Sequence, residues 1–88
     1  MNTFRSTIED ESSFTAVEVF FTEDALGLIL SDGREVRAPL EFYPRLRDAS
    51  QEQRLNYQLI GLGTGISWPD IDEDLSVRSI VLGWKAVS

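Results

Sequence analysis

The chain has no cysteine and no histidine among its 88 residues. The first absence excludes disulfides and thiolate chemistry. The second removes the commonest general base and the commonest zinc ligand together. Lys85 is the single lysine. No apolar run approaches the ~18 residues that a membrane helix requires, so no membrane association is expected. The N-terminal segment, MNTFRSTIEDESS, lacks the apolar core of a signal peptide, and the expected location is the cytoplasm. A basic face is lacking as well. The formal charge of −7 argues against nucleic-acid binding through phosphates and suits a basic partner.

What is present fits a small globular protein. Hydrophobic residues make up 42% of a length that allows one domain. Residues 1–13 are polar and aperiodic and read as a flexible tail, and 14–88 as a single α+β domain. Charge is unevenly placed. Residues 34–54 hold Arg34, Arg37, Arg45, Arg47 and Arg54 against Glu35, Glu41, Asp48 and Glu52, whereas both ends are acidic.

The first half alternates with period two. In Phe14–Thr22 the residues Ala16, Glu18, Phe20 and Thr22 fall on one face and Val17, Val19 and Phe21 on the other, as in a half-buried strand. Glu23-Asp24 forms the turn to a second strand that aligns Leu26, Leu28 and Leu30. Asp32-Gly33 has the composition of a type I′ hairpin turn. Arg34–Ala38 then completes a three-stranded antiparallel meander, which Pro39 ends for want of an N–H.

Helical signals follow. A helix starts near Glu41, with Pro44 tolerated in its first turn and Phe42, Leu46 and Ala49 sharing a face. Ser50 and Gln53 have capping-box spacing ahead of a second helix, Gln51 to about Tyr57, which buries Leu55. Gln58–Leu62 and Ile66–Trp68 read as one or two further short strands around the Gly61, Gly63 and Gly65 turns. Pro69 stops the second, and Asp70–Asp74 reads as an acidic turn. Ser76 caps a C-terminal helix, Val77–Leu82, in which Val77, Ile80, Val81 and Trp84 share a face and Gly83 is the stop.

No catalytic constellation emerges. Asp70, Asp72 and Asp74 match the opening ligand positions of an EF-hand loop, but Leu75 stands where glycine is needed and Val81 where a bidentate carboxylate is needed. Gly61-x-Gly63-x-Gly65 lacks the third glycine spacing of a dinucleotide loop and the Gly-Lys of a phosphate loop. There is no G-x-S-x-G. No cofactor, no metal and no enzymatic activity are expected. The remaining candidates are contact residues of the types that anchor protein interfaces: Tyr43, Arg45, Arg54, Trp68 and the acids Asp72, Glu73 and Asp74. For Tyr43, Arg45 and Trp68 a core role and a contact role stand equal. Phe42, Tyr57 and Trp84 are assigned to the core. The acids are read first as carboxylates ahead of the last helix, where its dipole favours them, with pairing of one of them to Arg45 or Arg47 as the other reading.

A set of motifs is specific when taken together: Leu30-Ser31-Asp32-Gly33-Arg34, Val36, Pro39-Leu40-x-Phe42-Tyr43-Pro44-Arg45-Leu46, Ala49-Ser50-x-x-Gln53-Arg54-x-Asn56-Tyr57, Gly61, Gly65-Ile66-x-Trp68-Pro69 and Asp72 to Val77. Over about residues 14–83 the chain resembles the bacterial family catalogued as domain of unknown function 2442. That pattern usually has Trp at the positions of Phe42 and Tyr57, and often His at that of Ser67. The resemblance implies a small α+β domain. It also implies a partner encoded nearby, in an arrangement suggestive of a toxin–antitoxin pair. Some members carry a helix-turn-helix domain, which is not expected here. The resulting expectation is a non-catalytic interaction module, specifically the antitoxin member of such a pair. The alternative is a small-ligand-sensing regulatory domain. The meander's outer strand offers an edge for a homodimer.

Overall fold

The computed structural model describes residues 14–85. The expected tail at 1–13 and the final three residues lie outside the described part.

Three strands form the first sheet in the order β1-β2-β3: β1 (Ala16–Phe21), β2 (Ala25–Leu30) and β3 (Glu35–Pro39), all antiparallel. The expected meander is therefore present. Its phase differs at the start. Ala16 pairs with Leu30 but Glu18 with Ile29, so Val17 is an extra residue, a β-bulge. The bulge moves Ala16 onto the face of Val19 and Phe21 and turns Val17 out to 58% exposure, although strict alternation had placed Val17 on the apolar face. The Asp32-Gly33 turn also differs from a type I′ loop. Only Gly33 has positive φ (94°), its N–H bonds the Leu30 carbonyl at 2.9 Å, and the Leu30 N–H bonds the Arg34 carbonyl at 2.8 Å. This is a three-residue loop closed by a glycine in the left-handed region. The Asp32 carboxylate accepts from the Arg34 N–H at 3.0 Å and Nε at 2.7 Å, and the backbone bond holds its pKa below the usual value.

The helix expected from Glu41 is broken in two. Leu40–Phe42 makes a 3-10 turn, and α1 (Pro44–Arg47) begins at Pro44. A proline disfavours the α conformation in the residue before it, and Tyr43 is extended accordingly (φ −131°, ψ 82°). The second helix, α2 (Gln51–Leu55), opens with the expected capping box: Ser50 Oγ accepts from the Gln53 N–H at 3.1 Å, and Gln53 Oε1 from the Ser50 N–H at 3.0 Å. It stops two residues early at Asn56, buries none of its own residues, and leaves Leu55 at 55% exposure instead of in the core.

The second half forms another antiparallel sheet, ordered β4-β5-β6: β4 (Gln58–Ile60), β5 (Gly65–Trp68) and β6 (Glu73–Ser76). Thus the acidic run, read as a turn, also supplies a strand. Asp72 turns the corner in the left-handed region (φ 55°), and Glu73 pairs with Trp68. Ser76 caps α3 (Val77–Val81) by accepting from the Ser79 N–H at 3.0 Å. Gly83 (φ 80°) donates to the Ile80 carbonyl at 3.1 Å and Trp84 to that of Ser79 at 2.9 Å. This Schellman ending throws Trp84 off the helix face, so the residue placed in the core by i+7 spacing is 55% exposed.

One core joins the two sheets. Leu26, Leu28 and Leu30 of β2, Leu40, Tyr43 and Leu46 around α1, Ile66 and Trp68 of β5, and Val77 and Ile80 of α3 are all buried. Phe42 and Tyr57 pack partly buried against this cluster.

Candidate functional site

The seven side chains proposed as a contact surface separate into three groups. Tyr43 and Trp68 are fully buried, 0% exposed, and belong to the core rather than to any preformed contact face. Both sit at positions that the fold closes over: Tyr43 between the 3-10 turn and α1, Trp68 at the end of β5, the middle strand of the second sheet. Trp68 Nε1 donates to the Arg54 carbonyl at 3.0 Å, and its ring meets Phe21 edge-on at 6.4 Å. The Tyr43 hydroxyl has no hydrogen-bond partner among the described residues, and burial raises its pKa.

Arg54 is a structural clasp. Its Nε and Nη2 donate to the carbonyls of Leu46 and Arg47, each at 2.8 Å, and so satisfy the open C-terminal end of α1. The guanidinium lies 5.8 Å from the centroid of the Phe21 ring. With its carbonyl taken by Trp68, Arg54 ties α1, α2, the first sheet and the second together.

Arg45 does reach the acidic segment, but through the backbone. Its Nη1 donates to the Asp72 carbonyl at 2.7 Å. No carboxylate of the segment pairs with Arg45 or Arg47. Among the described residues the ion pairs are Arg34–Asp32, Arg37–Glu35 and Arg47–Asp48, each between near neighbours in sequence and exposed. The left-handed conformation of Asp72 explains the substitution, because it ends the 3-10 turn Pro69–Ile71 with the Asp72 N–H on the Pro69 carbonyl. Asp70 accepts from Asn56 Nδ2 at 2.9 Å. Glu73, opposite Trp68, is half-buried. Desolvation raises its carboxyl pKa, the charge of Arg45 works the other way, and Asp74 and Asp72 add to the rise. Asp72 and Asp74 are exposed. Among the described residues, no group of three or more acidic side chains is arranged to hold a metal ion.

Sequence reasoning missed the surface that the structure displays instead. Gly61, Leu62 and Gly63 are three successive left-handed residues, with φ of 60°, 59° and 91°. Leu62 stands at the tip, 99% exposed. The loop lies against β1: a Cβ on Gly63 would come within 2.8 Å of the Ala16 carbonyl oxygen. Nearby, the Tyr57 hydroxyl accepts from the Val19 N–H at 3.3 Å. Tyr57 and Gly63, at the two ends of segment 57–63, thus approach the outer edge of β1 at Val19 and Ala16. Leu59, Ile60 and Leu62 on this segment are exposed, as are Val17 on the bulged edge and Leu55 just before the segment. The one sequence signal was the Gly-Leu-Gly triplet, in which a large apolar residue is flanked by the two residues that tolerate positive φ.

Among the described residues, two small antiparallel sheets and three short helices define an acidic α+β domain that exposes the aliphatic side chains of Val17, Leu55, Leu59, Ile60 and Leu62. The chain belongs to the family described as "Protein of unknown function (DUF2442)", whose profile matches residues 16–86. Two solved structures share the fold. A crystal structure of a protein of unknown function from Rhodospirillum rubrum superposes with a TM-score of 0.72 at 22% identity, over 85% of this chain and 93% of that one. A solution structure of an uncharacterized protein from Chromobacterium violaceum gives 0.73 at 18% identity, over 97% of this chain and 80% of that one. No curated protein matches the sequence.

Proposed function

We propose that the protein is a non-catalytic interaction module that binds a small protein through the rim formed by Val17, Leu55, Leu59, Ile60 and Leu62. The observation that carries this reading is Leu62, a large aliphatic side chain 99% exposed on a left-handed backbone. Neither property favours folding. An exposed leucine contributes no burial, and the left-handed region costs about 1–2 kcal/mol for a residue with a Cβ. Strain of this kind is concentrated at sites of function. A partner with an apolar recess and a basic margin complements both the rim and a chain of net charge −7.

The specific form proposed is the antitoxin member of a toxin–antitoxin-like pair, located in the cytoplasm, with the partner encoded nearby. The resemblance discussed above motivates it. Co-expression with the product of an adjacent gene, followed by affinity capture, tests it. A complex that forms with the native chain and is lost with Leu62→Asn supports the reading. Absence of any complex with neighbouring products removes the antitoxin form.

A small-ligand-sensing role is the alternative. An open groove of about 290 Å³, lined by Asp24, Ala25, Arg37, Ala38 and Pro39, is the feature that favours it. A thermal-shift screen separates the two readings, because a ligand present at 100 times its Kd adds about 2.7 kcal/mol to stability.

A further inference from the structure

We propose that β3 is a self-complementary docking edge through which two copies of the chain pair into a continuous six-stranded antiparallel sheet. The two edges of the first sheet are treated differently. β1 is met at two points by segment 57–63, with Tyr57 on the Val19 N–H and Gly63 against the Ala16 carbonyl. Among the described residues, no hydrogen bond is made on the outer side of β3, although α3 packs against the strand. The phase of the ladder follows from the bonds that flank it, Leu30 N–H to Arg34 and Leu40 N–H to Asp24. Antiparallel pairing alternates, so Val36 and Ala38 turn their N–H and C=O groups toward β2, while Glu35 and Arg37 turn theirs outward. Pro39 occupies the next outward position, where it has no N–H to leave unsatisfied.

The charges on this edge select one register. Centred on Val36, an antiparallel self-pair places Glu35 of each copy opposite Arg37 of the other. Four backbone hydrogen bonds and two cross-strand ion pairs then form together. Moving the centre to Glu35 sets Glu35 against Glu35. Moving it to Arg37 sets Arg37 against Arg37 and gives Glu35 a proline with no donor. Like charges directly opposite one another destabilise a strand pair. The three residues thus permit one self-pairing and oppose its neighbours. The Arg37 side chain is already held over the sheet, with Nε on Glu35 at 2.7 Å and the guanidinium 5.5 Å from the Phe20 ring centroid. Rotating from its own Glu35 to that of the second copy costs little, because the intrachain pair is exposed. The edge lies on the opposite side of the sheet from the Leu62 rim, so self-pairing and heterologous binding do not compete for one surface.

Charge-swap variants test the pairing. Sedimentation velocity on the whole chain, at concentrations from about 10 µM to about 1 mM, should show reversible dimerisation in the range of a weak interface. Arg37→Glu alone, or Glu35→Arg alone, should weaken it by about ten-fold. The double swap Glu35→Arg/Arg37→Glu should restore it. An equimolar mixture of the two single variants should also associate, because each then complements the other. Amide exchange at low concentration, where all variants are monomeric, checks that each is folded. At high concentration the Glu35 and Arg37 amides should gain protection. A chain that stays monomeric to the highest concentration overturns the proposal. So does a dimer that tolerates the single swaps, or one that leaves those two amides unprotected.

Discussion

Leu62→Asn should make the protein more stable while making it a poorer binder. The structure sets the magnitude. Leu62 is 99% exposed, so the substitution gives up almost no buried apolar surface. Its φ of 59° carries the left-handed penalty of about 1–2 kcal/mol, most of which asparagine avoids. A gain of about 1 kcal/mol is expected, equivalent to a rise in Tm of about 4–8 °C for a domain of this size. Leu62→Gly should gain less, since the unfolded chain of a glycine variant has more freedom to lose. Leu62→Ala keeps the penalty and should leave stability within about 0.5 kcal/mol of the parent. Urea unfolding of the four proteins measures these differences, with midpoint shifts read at constant slope. Binding should rank otherwise: Ala, Asn and Gly should all weaken the partner complex about 10- to 100-fold, the value of burying one leucine. If asparagine destabilises the isolated chain, Leu62 has a structural role and the reasoning fails. If alanine binds as well as leucine, the tip is not a contact.

Arg54→Ala should cost about 2 kcal/mol, because two charge-assisted bonds to the α1 carbonyls are lost, and lysine should recover only part of it, having no fork; a loss under about 0.5 kcal/mol in urea melts would contradict the clasp. The two tryptophans should be distinguishable by fluorescence, since Trp68 is buried and Trp84 is 55% exposed. Trp84→Phe should leave blue-shifted emission resistant to iodide, Trp68→Phe should leave quenchable emission, and the reverse pattern would refute the placement. Glu73→Gln should stabilise the protein at neutral pH and not in acid. Burial raises the folded-state pKa of Glu73, so its favourable contribution is complete below the unfolded pKa and is lost as pH rises through the folded one. The advantage of glutamine should therefore appear across that interval, and a difference that is flat with pH would show that desolvation is not what shifts Glu73.

The elements most legible in the sequence are those whose cause is local. Alternation reports β1 to β3, and the Ser50–Gln53 and Ser76 caps are closed by side chains within three residues. The misplacements share a different physics, in which one residue changes the phase of all that follow. The Val17 bulge reverses which neighbour is buried, Pro44 forces Tyr43 out of a helix, and Gly83 ends α3 one position before Trp84 could reach the core. β6 was hidden because Glu73–Ser76 has no strand propensity to speak of; its pairing with β5 makes it a strand.

The proposed contact surface is not legible in the sequence for a related reason. Large aromatic and basic residues are the usual anchors of interfaces, yet here the same types build the scaffold. Trp68 bonds the Arg54 carbonyl, Arg54 closes α1, and Arg45 holds the Asp72 carbonyl at 2.7 Å. Arg45 marks the limit most clearly. Complementary charge correctly brought it to the 72–74 segment, but charge alone does not distinguish a carboxylate from a carbonyl. That choice depends on the left-handed turn at Asp72, and only the backbone reveals it. With Arg45 and Arg54 held on backbone carbonyls and Tyr43 and Trp68 buried, the surface proposed to meet a partner is aliphatic. Leu62, strained and solvated at the same time, is the residue of that surface for which stability offers no account.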